Sequence, residues 1–257
     1  MKRDLYFSKP LMNAAGSLGF APDFRDLKDL TGLFGAFVTN PFSFRSRQPA
    51  ARPALVEHPG GFLMHTGLPN PGLNASLKKY SARWSRSDLP IIVHLMADRP
   101  EETQRMVHML ETQENVMAAE LGFAPLLAND ILLLTLEMCL GELPLIFSLP
   151  VEQVLSLGPR LVQEGAQAIS ISAPRGALPA EISSVITGRL YGPSLFPQTL
   201  ETVYSAAKLG LPIIGAGGVW TKKNAEAMLS VGALAVQVDA VLWSPYSSFS
   251  APASGPG

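Results

Sequence analysis

The run Leu211-Pro-Ile-Ile-Gly-Ala-Gly-Gly-Val-Trp-Thr221 joins a short apolar segment, Pro212 to Ile214, to the glycines Gly215, Gly217 and Gly218, and a helical segment follows from Lys222 to Ser230. An apolar run of that length, stopped by glycine, reads as a buried strand. Glycine allows positive φ and lets backbone N–H groups come close to an anion. Strand, glycine turn and helix N-terminus, in that order, make a ready phosphate site. The same order also serves as a tight strand-to-helix turn that holds nothing.

Working outward, the same unit recurs along the chain. Strand-like runs fall at Leu11–Ala14, which closes in Ala15 and Gly16, at Gly35–Asn40, Ile91–Met96, Asn115–Leu121, Pro144–Leu149, Ala168–Ser172, Pro212–Ile214 and Ala233–Val241. Helical patterns separate them at Asp23–Leu30, Asn74–Trp84, Pro100–Thr112, Leu126–Leu140, Val151–Glu164, Thr199–Leu209 and Lys222–Ser230. Eight strands alternating with helices, with no break in composition, predict an α/β fold of the (β/α)₈ TIM-barrel type. An open doubly wound sheet is the alternative. Two long connections, Pro41–Pro71 with its six prolines and Ala173–Pro197, read as loops, and their length points to a functional or lid role. From Ser244 the chain is rich in Pro, Ser, Gly and Ala and cannot form a stable closing helix. The expected organisation is therefore one barrel domain over residues 1–243, its last helix reduced or missing, and a flexible tail over 244–257. The flank so exposed calls for cover by a homodimer or another partner.

Composition narrows the function classes. With 47% hydrophobic and only 16% charged residues in 257, much of the chain should lie in strands covered on both faces. Twenty Lys+Arg against 21 Asp+Glu give no basic surplus, which argues against a nucleic-acid partner. The most apolar stretch, Ile131–Leu140, is too short to span a bilayer, so no membrane partner is expected either. No apolar run follows Met1-Lys-Arg-Asp4 to suggest a signal peptide, and the lone Cys139 excludes an internal disulfide; both point to the cytoplasm.

With these residues in place, the chain resembles the dihydroorotate dehydrogenase family, whose members are FMN-containing (β/α)₈ barrels. Pro10-Leu-Met-Asn-Ala-Ala-Gly16 is similar to that family's first strand, where small residues let flavin lie against backbone, and Gly35-Ala-Phe-Val-Thr39 to its second. Gly67-Leu-Pro-Asn-Pro-Gly72 resembles its substrate-side loop, and Gly188-Arg-Leu-Tyr-Gly-Pro193 its glycine segment after strand six. Ile213-Ile-Gly-Ala-Gly-Gly-Val219 is similar to its phosphate end. The likeness runs collinearly from Pro10 to Leu242. It implies a flavin-dependent oxidoreductase that converts dihydroorotate to orotate in pyrimidine biosynthesis, acting on a CH–CH group of a small molecule. By the same resemblance FMN would touch Ala14, Ala15, Gly16, Thr39, Asn40, Ser148, Gly188, Gly192, Gly215, Gly217, Gly218 and Ala240. The substrate would touch Gly67, Leu68, Asn70, Ser172 and Arg175. No metal site is expected.

The chain departs from the family where its chemistry should sit. Asn40 stands where the family carries a lysine at the end of strand two, and Ser148 where it carries one on strand five. The family's base, a cysteine or serine after strand four, falls at Ala124, which cannot move a proton. Asp239-Ala240 replaces a glycine and a hydroxyl residue that would face phosphate. A carboxylate within ~5 Å of a phosphate dianion costs several kcal/mol at an effective dielectric near 20. Asp239 could instead cap a short helix or pair with an arginine such as Arg189.

Other groups admit two readings. His94 and His65 could reach a strand-end site or be structural, and neither has a partner at metal-ligand spacing. Ser170 and Ser172 share one face of strand six, for core hydrogen bonds or for ligand. Arg175 sits at a strand's C-terminal end as a cation for an anionic substrate or as a solvated loop residue. Cys139 lies mid-helix among leucines as a small hydrophobe. Two functions follow: the oxidoreductase, with its catalytic group unassigned, and a barrel that has lost the chemistry and serves as a binding or assembly partner.

Overall fold

The computed structural model describes residues 5–23, 32–179, 184–244 and Phe249. Eight parallel strands close into a barrel: β1 (Leu11–Asn13), β2 (Phe34–Val38), β5 (Ile91–Met96), β6 (Val116–Gly122), β7 (Leu145–Leu149), β8 (Ala168–Ile171), β11 (Ile213–Gly215) and β12 (Ala235–Val238). Each coincides with one of the eight strands read from sequence. Between them run α1 (Leu73–Ser85), α2 (Pro100–Glu111), α3 (Asn129–Cys139), α4 (Val151–Glu164), α5 (Phe196–Lys208) and α6 (Lys222–Ser230). Pro100 with two glutamates starts α2, as a helix N-terminus favours. Thr221 and Asn224 form a reciprocal capping box on α6. The helix expected over Asp23–Leu30 and nearly all of the 244–257 tail lie outside the described residues.

Strand periodicity builds the barrel interior in layers. Met12, Ala36, Ile92, Ala118, Ile146, Ala168, Ile214 and Ala235, one from each strand, form a closed apolar layer. Two residues further along, on the same inward face, come Ala14, Val38, His94, Glu120, Ser148, Ser170, Ala216 and Gln237. The second layer is thus largely polar and lies nearer the C-terminal ends of the strands. A larger apolar cluster, with Phe37, Trp84, Leu121 and Leu136, packs the outer faces of the strands against the helices. At the β1–β2 seam, where the register shifts, the Asn13 side chain bridges the gap: Nδ2 donates to Val38 O at 2.7 Å, and Val38 N donates to Oδ1 at 2.9 Å.

Both long connections differ from the expected loops. They carry β3 (Ala54–His58), β4 (Gly61–His65), β9 (Arg175–Pro179) and β10 (Val185–Tyr191), an antiparallel sheet in the order β3-β4-β10-β9. Pro59-Gly60 turns the first hairpin between two five-residue strands. The six prolines of the first connection lie outside its ladder, where a missing N–H costs nothing. The sheet lies over the C-terminal mouth, since Arg189 and Tyr191 of β10 share a cavity with Ala14, Glu120 and Gln237. After β12 the described residues form a 3-10 turn, Ala240–Trp243.

Candidate active site

The polar layer is organised around one buried carboxylate. Glu120, 1% exposed, accepts from Ser170 Oγ and Gln237 Nε2 at 2.7 Å each through Oε1, while Oε2 lies 2.7 Å from His94 Nδ1. Burial pushes this carboxyl up, but the hydrogen bonds from His94, Ser170 and Gln237 and the charge of His94 outweigh it and hold the group below its ordinary range. The backbone N–H of His94 donates to Thr39 Oγ1 at 3.1 Å, fixing β5 against β2.

Above this layer a small central cavity of about 30 Å³ is lined by Ala14, Ala15, His94, Ser148, Gly217 and Asp239 among others. It lies beside a larger one of about 390 Å³, whose lining includes Phe123, Leu126, Leu127, Ser172, Arg175 and Arg189. A third, of about 100 Å³, runs under the sheet past Arg47, His65, Gly67, Leu68, Gly188 and Arg189.

Of the residues expected at FMN, the structure gathers Ala14, Ala15, Ser148 and Gly217 around the central cavity. Gly16 sits at the adjoining turn with φ +91° and open space where a Cβ would stand. Gly217 and Gly218 take φ +92° and +72°, and neither N–H donates a hydrogen bond among the described residues. That is the donor geometry an oxyanion needs. Gly218 has a packing reason as well, because a Cβ there would meet Phe196 N. Thr39 is buried under His94, and Asn40 accepts from Gly19 N at 3.1 Å, tying the loop after β1 to β2. Gly192 packs on Gly60 and Gly215 on Met228; none of these four lines a cavity. Gly188 lines the third cavity, under the sheet.

Of the substrate residues, Gly67 and Leu68 line the third cavity, Ser172 the first two and Arg175 the last two. Asn70 instead organises its own turn: Oδ1 accepts from Ser43 N, Ser43 Oγ and Gly72 N at 3.0–3.1 Å. Ala124 borders the large cavity and offers no proton-carrying group.

Asp239 takes the capping role. Its Oδ1 accepts from Ala240 N at 2.6 Å, and no ion pair joins it to Arg189 among the described residues. At 6% exposure, burial pushes its carboxyl up to about 6, against the opposing backbone hydrogen bonds. Tyr191, facing it, is pushed up by burial too, while Arg189 pulls it down. Beside them Phe62, Tyr191 and Trp243 form an aromatic cluster with centroids 5.6–6.2 Å apart, and Trp243 Nε1 donates to Ser17 O at 2.7 Å. Cys139 is buried and its thiol is pushed up to about 12 by desolvation, so it is inert.

The pairing of His94 with Glu120 was not read from sequence. Its signal was a lone glutamate in the apolar run Val116-Met-Ala-Ala-Glu-Leu-Gly122, since a buried charge demands a partner.

Comparison with known proteins agrees with this layout. Residues 3–122 match the family model for dihydroorotate dehydrogenase. The chain is 28% identical over 250 residues to the dihydroorotate dehydrogenase B (NAD(+)) catalytic subunit of Geotalea uraniireducens, covering 89% of this chain and 82% of that one. It is 29% identical over 255 residues to the corresponding subunit of Pelobacter propionicus, covering 91% and 84%. Among solved structures, DHODH from Eimeria tenella in complex with ferulenol superposes with a TM-score of 0.74 at 16% identity, over 95% of this chain and 79% of that one. The eight-stranded barrel, its C-terminal glycine turns and this collinear likeness make the chain similar to the dihydroorotate dehydrogenase family.

Proposed function

We propose that this chain is a flavin-dependent oxidoreductase of the dihydroorotate dehydrogenase type, with dihydroorotate oxidation strongly reduced. The observation that carries the reading is the pairing, around one mouth, of the Ala14–Gly16 turn with the N–H groups of Gly217 and Gly218, which donate no hydrogen bond among the described residues. The first would lie against the flavin ring and the second would hold its phosphate. FMN, when bound, supplies an acceptor for hydride. Arg175, at the rim, is the cation that would orient an anionic substrate, because Asn40 and Ser148 bring no charge. Residues 1–243 are read as one functional unit and 244–257 as a tail. Among the described residues no helix is long and apolar enough to cross a membrane, and the proposed setting is the cytoplasm. Its relatives are catalytic subunits; by analogy this chain would work with a second subunit.

One observation favours a second reading, a barrel that has given up the chemistry and acts as an assembly partner. Asp239 puts a buried carboxylate into the phosphate half of the mouth. Flavin absorbance of the purified chain, followed by titration with FMN, decides between them. Stoichiometric yellow protein supports the oxidoreductase, and no uptake at millimolar FMN refutes it.

A further inference from the structure

The sheet over the mouth has two outer edges, β3 and β9, and they are guarded unequally. An edge strand exposes unpaired N–H and C=O groups, which proteins usually blunt with charge or proline. β3 carries the exposed Glu57 within it. β9, Arg175-Gly-Ala-Leu-Pro179, has its cation and its proline only at the two ends. From Gly176 to Gly188 the single charged residue is Glu181.

This hairpin also outreaches its neighbours. β4 pairs with β10 only at Arg189–Tyr191, whereas β9 pairs with it from Val185 to Arg189. Gly176–Pro179 with Val185–Gly188 therefore form a two-stranded ribbon, which is marginal in water on its own. Val185 is 68% exposed, and Ala177, Pro179 and Thr187 are exposed with it.

The ladder fixes which backbone groups are free. Leu190 N donates to Pro174 O at 2.8 Å, so these two residues form a hydrogen-bonded pair, and the pairs alternate from there. Gly176 and Leu178 then bond to β10, while Arg175, Ala177 and Pro179 turn their backbone groups outward. Pro179 thus sits where β10 needs no donor. Among the described residues no strand pairs with that outer edge.

We propose that β9 pairs antiparallel with β9 of a second copy about a two-fold axis at Ala177, joining the two four-stranded sheets into one. In this register all five residues overlap. Ala177 exchanges N–H···O bonds with its own counterpart, and each Arg175 N–H reaches the Pro179 carbonyl of the other copy. A small residue at the axis lets two identical backbones approach, as a self-complementary contact requires. The two arginines stand ~13 Å apart along the strands. An axis at Arg175 or Gly176 would instead set these like charges opposite or diagonal to one another, which destabilises a sheet. Leu178 falls opposite Gly176, over which Leu190 already lies, so apolar meets apolar. Pro179 of the second copy comes to stand opposite Arg175, which lines two cavities of the mouth, so each copy forms part of the other's rim. The pairing does not depend on flavin.

Sedimentation velocity of the purified full chain at tens of micromolar tests this, with a dimer expected. Ala177→Pro removes the N–H at the axis without touching a β9–β10 bond. It should weaken association at least tenfold and leave the far-UV spectrum unchanged. Thr187→Pro, which removes an N–H on the opposite edge of the ribbon, should leave the dimer intact. Ala177→Cys should give a disulfide-linked dimer on mild oxidation, because hydrogen-bonded partners stand ~5.5 Å apart between Cα atoms. The native Cys139 is buried and should not interfere. A monomeric parent chain would overturn the proposal. So would a dimer undiminished in folded Ala177→Pro, one lost in folded Thr187→Pro, or no cross-link in Ala177→Cys; the cross-link decides even if the proline variants misfold.

Discussion

Thr199, in the first turn of α5, donates its hydroxyl to the carbonyl of Gly217 at 2.7 Å and so pins the glycine turn after β11 to the helix before it. Gly217 holds φ +92°, and a Cβ on it would lie 2.9 Å from Thr199 Cγ2. Gly217→Val should therefore do two things at once. Backbone strain of this kind costs about 1–3 kcal/mol of stability, read as a lowered denaturation midpoint with unchanged far-UV spectrum. Flavin affinity should fall at least tenfold in a fluorescence titration of the folded variant. Unchanged affinity would show that the phosphate lies elsewhere.

Asp239 should make the fold pH-sensitive. Its folded carboxyl, pushed up to about 6 from an ordinary 3.8, binds protons more readily than in the unfolded chain. Stability from this group is thus highest below the unfolded value and falls as pH rises through about 4 to 6. The penalty above pH 6 is on the order of 3 kcal/mol. Asp239→Asn, which keeps an acceptor for Ala240 N, should gain stability at pH 7.5 and little at pH 4. Urea unfolding at the two pH values measures the difference, and an equal gain at both would rule this out.

The same residue should limit flavin binding. In Asp239→Gly/Ala240→Ser the repulsion disappears, the N–H of residue 240 is released from the carboxylate, and a hydroxyl is restored. That hydroxyl alone contributes roughly 0.5–1.5 kcal/mol, and each 1.4 kcal/mol is about tenfold in affinity. FMN should bind the double variant at least tenfold more tightly than the parent. Equal affinity would mean that Asp239 faces no phosphate.

Dihydroorotate oxidation by the flavin-loaded chain should run ~10²–10⁴ below a competent relative, the usual loss when a positioned base is absent. Stopped-flow reduction under anaerobic conditions measures the chemical step directly. A rate matching the relatives would show that a proton acceptor is already in place and working at full strength.

The barrel was legible because each of its units announces itself locally, as an apolar run of three to seven residues, a turn and an amphipathic helix. The sheet over the mouth was not, because its central ladder joins β4 to β10 across more than a hundred residues of chain and no local pattern reports such a pairing. Its prolines, at positions such as Pro53 and Pro59, argued for loop, and the strand Ala54–His58 lies between them. Among the site residues, Gly217 was readable from the strand–glycine–helix order alone. The partnership of His94 with Glu120 was hidden for another reason. The two lie on neighbouring strands in matching register, and register is a property of the closed barrel, which the sequence of either strand alone does not carry.

The β4–β10 ladder also makes the rim one piece. It fastens the insertion after β2 to the insertion after β8, and a side chain at Gly61 would collide with the Tyr191 carbonyl, so the two halves lie in close contact. Arg175 and Arg189 stand opposite one another in the same sheet, so the positions of both cations are set by a single hydrogen-bonded unit that neither insertion could form alone.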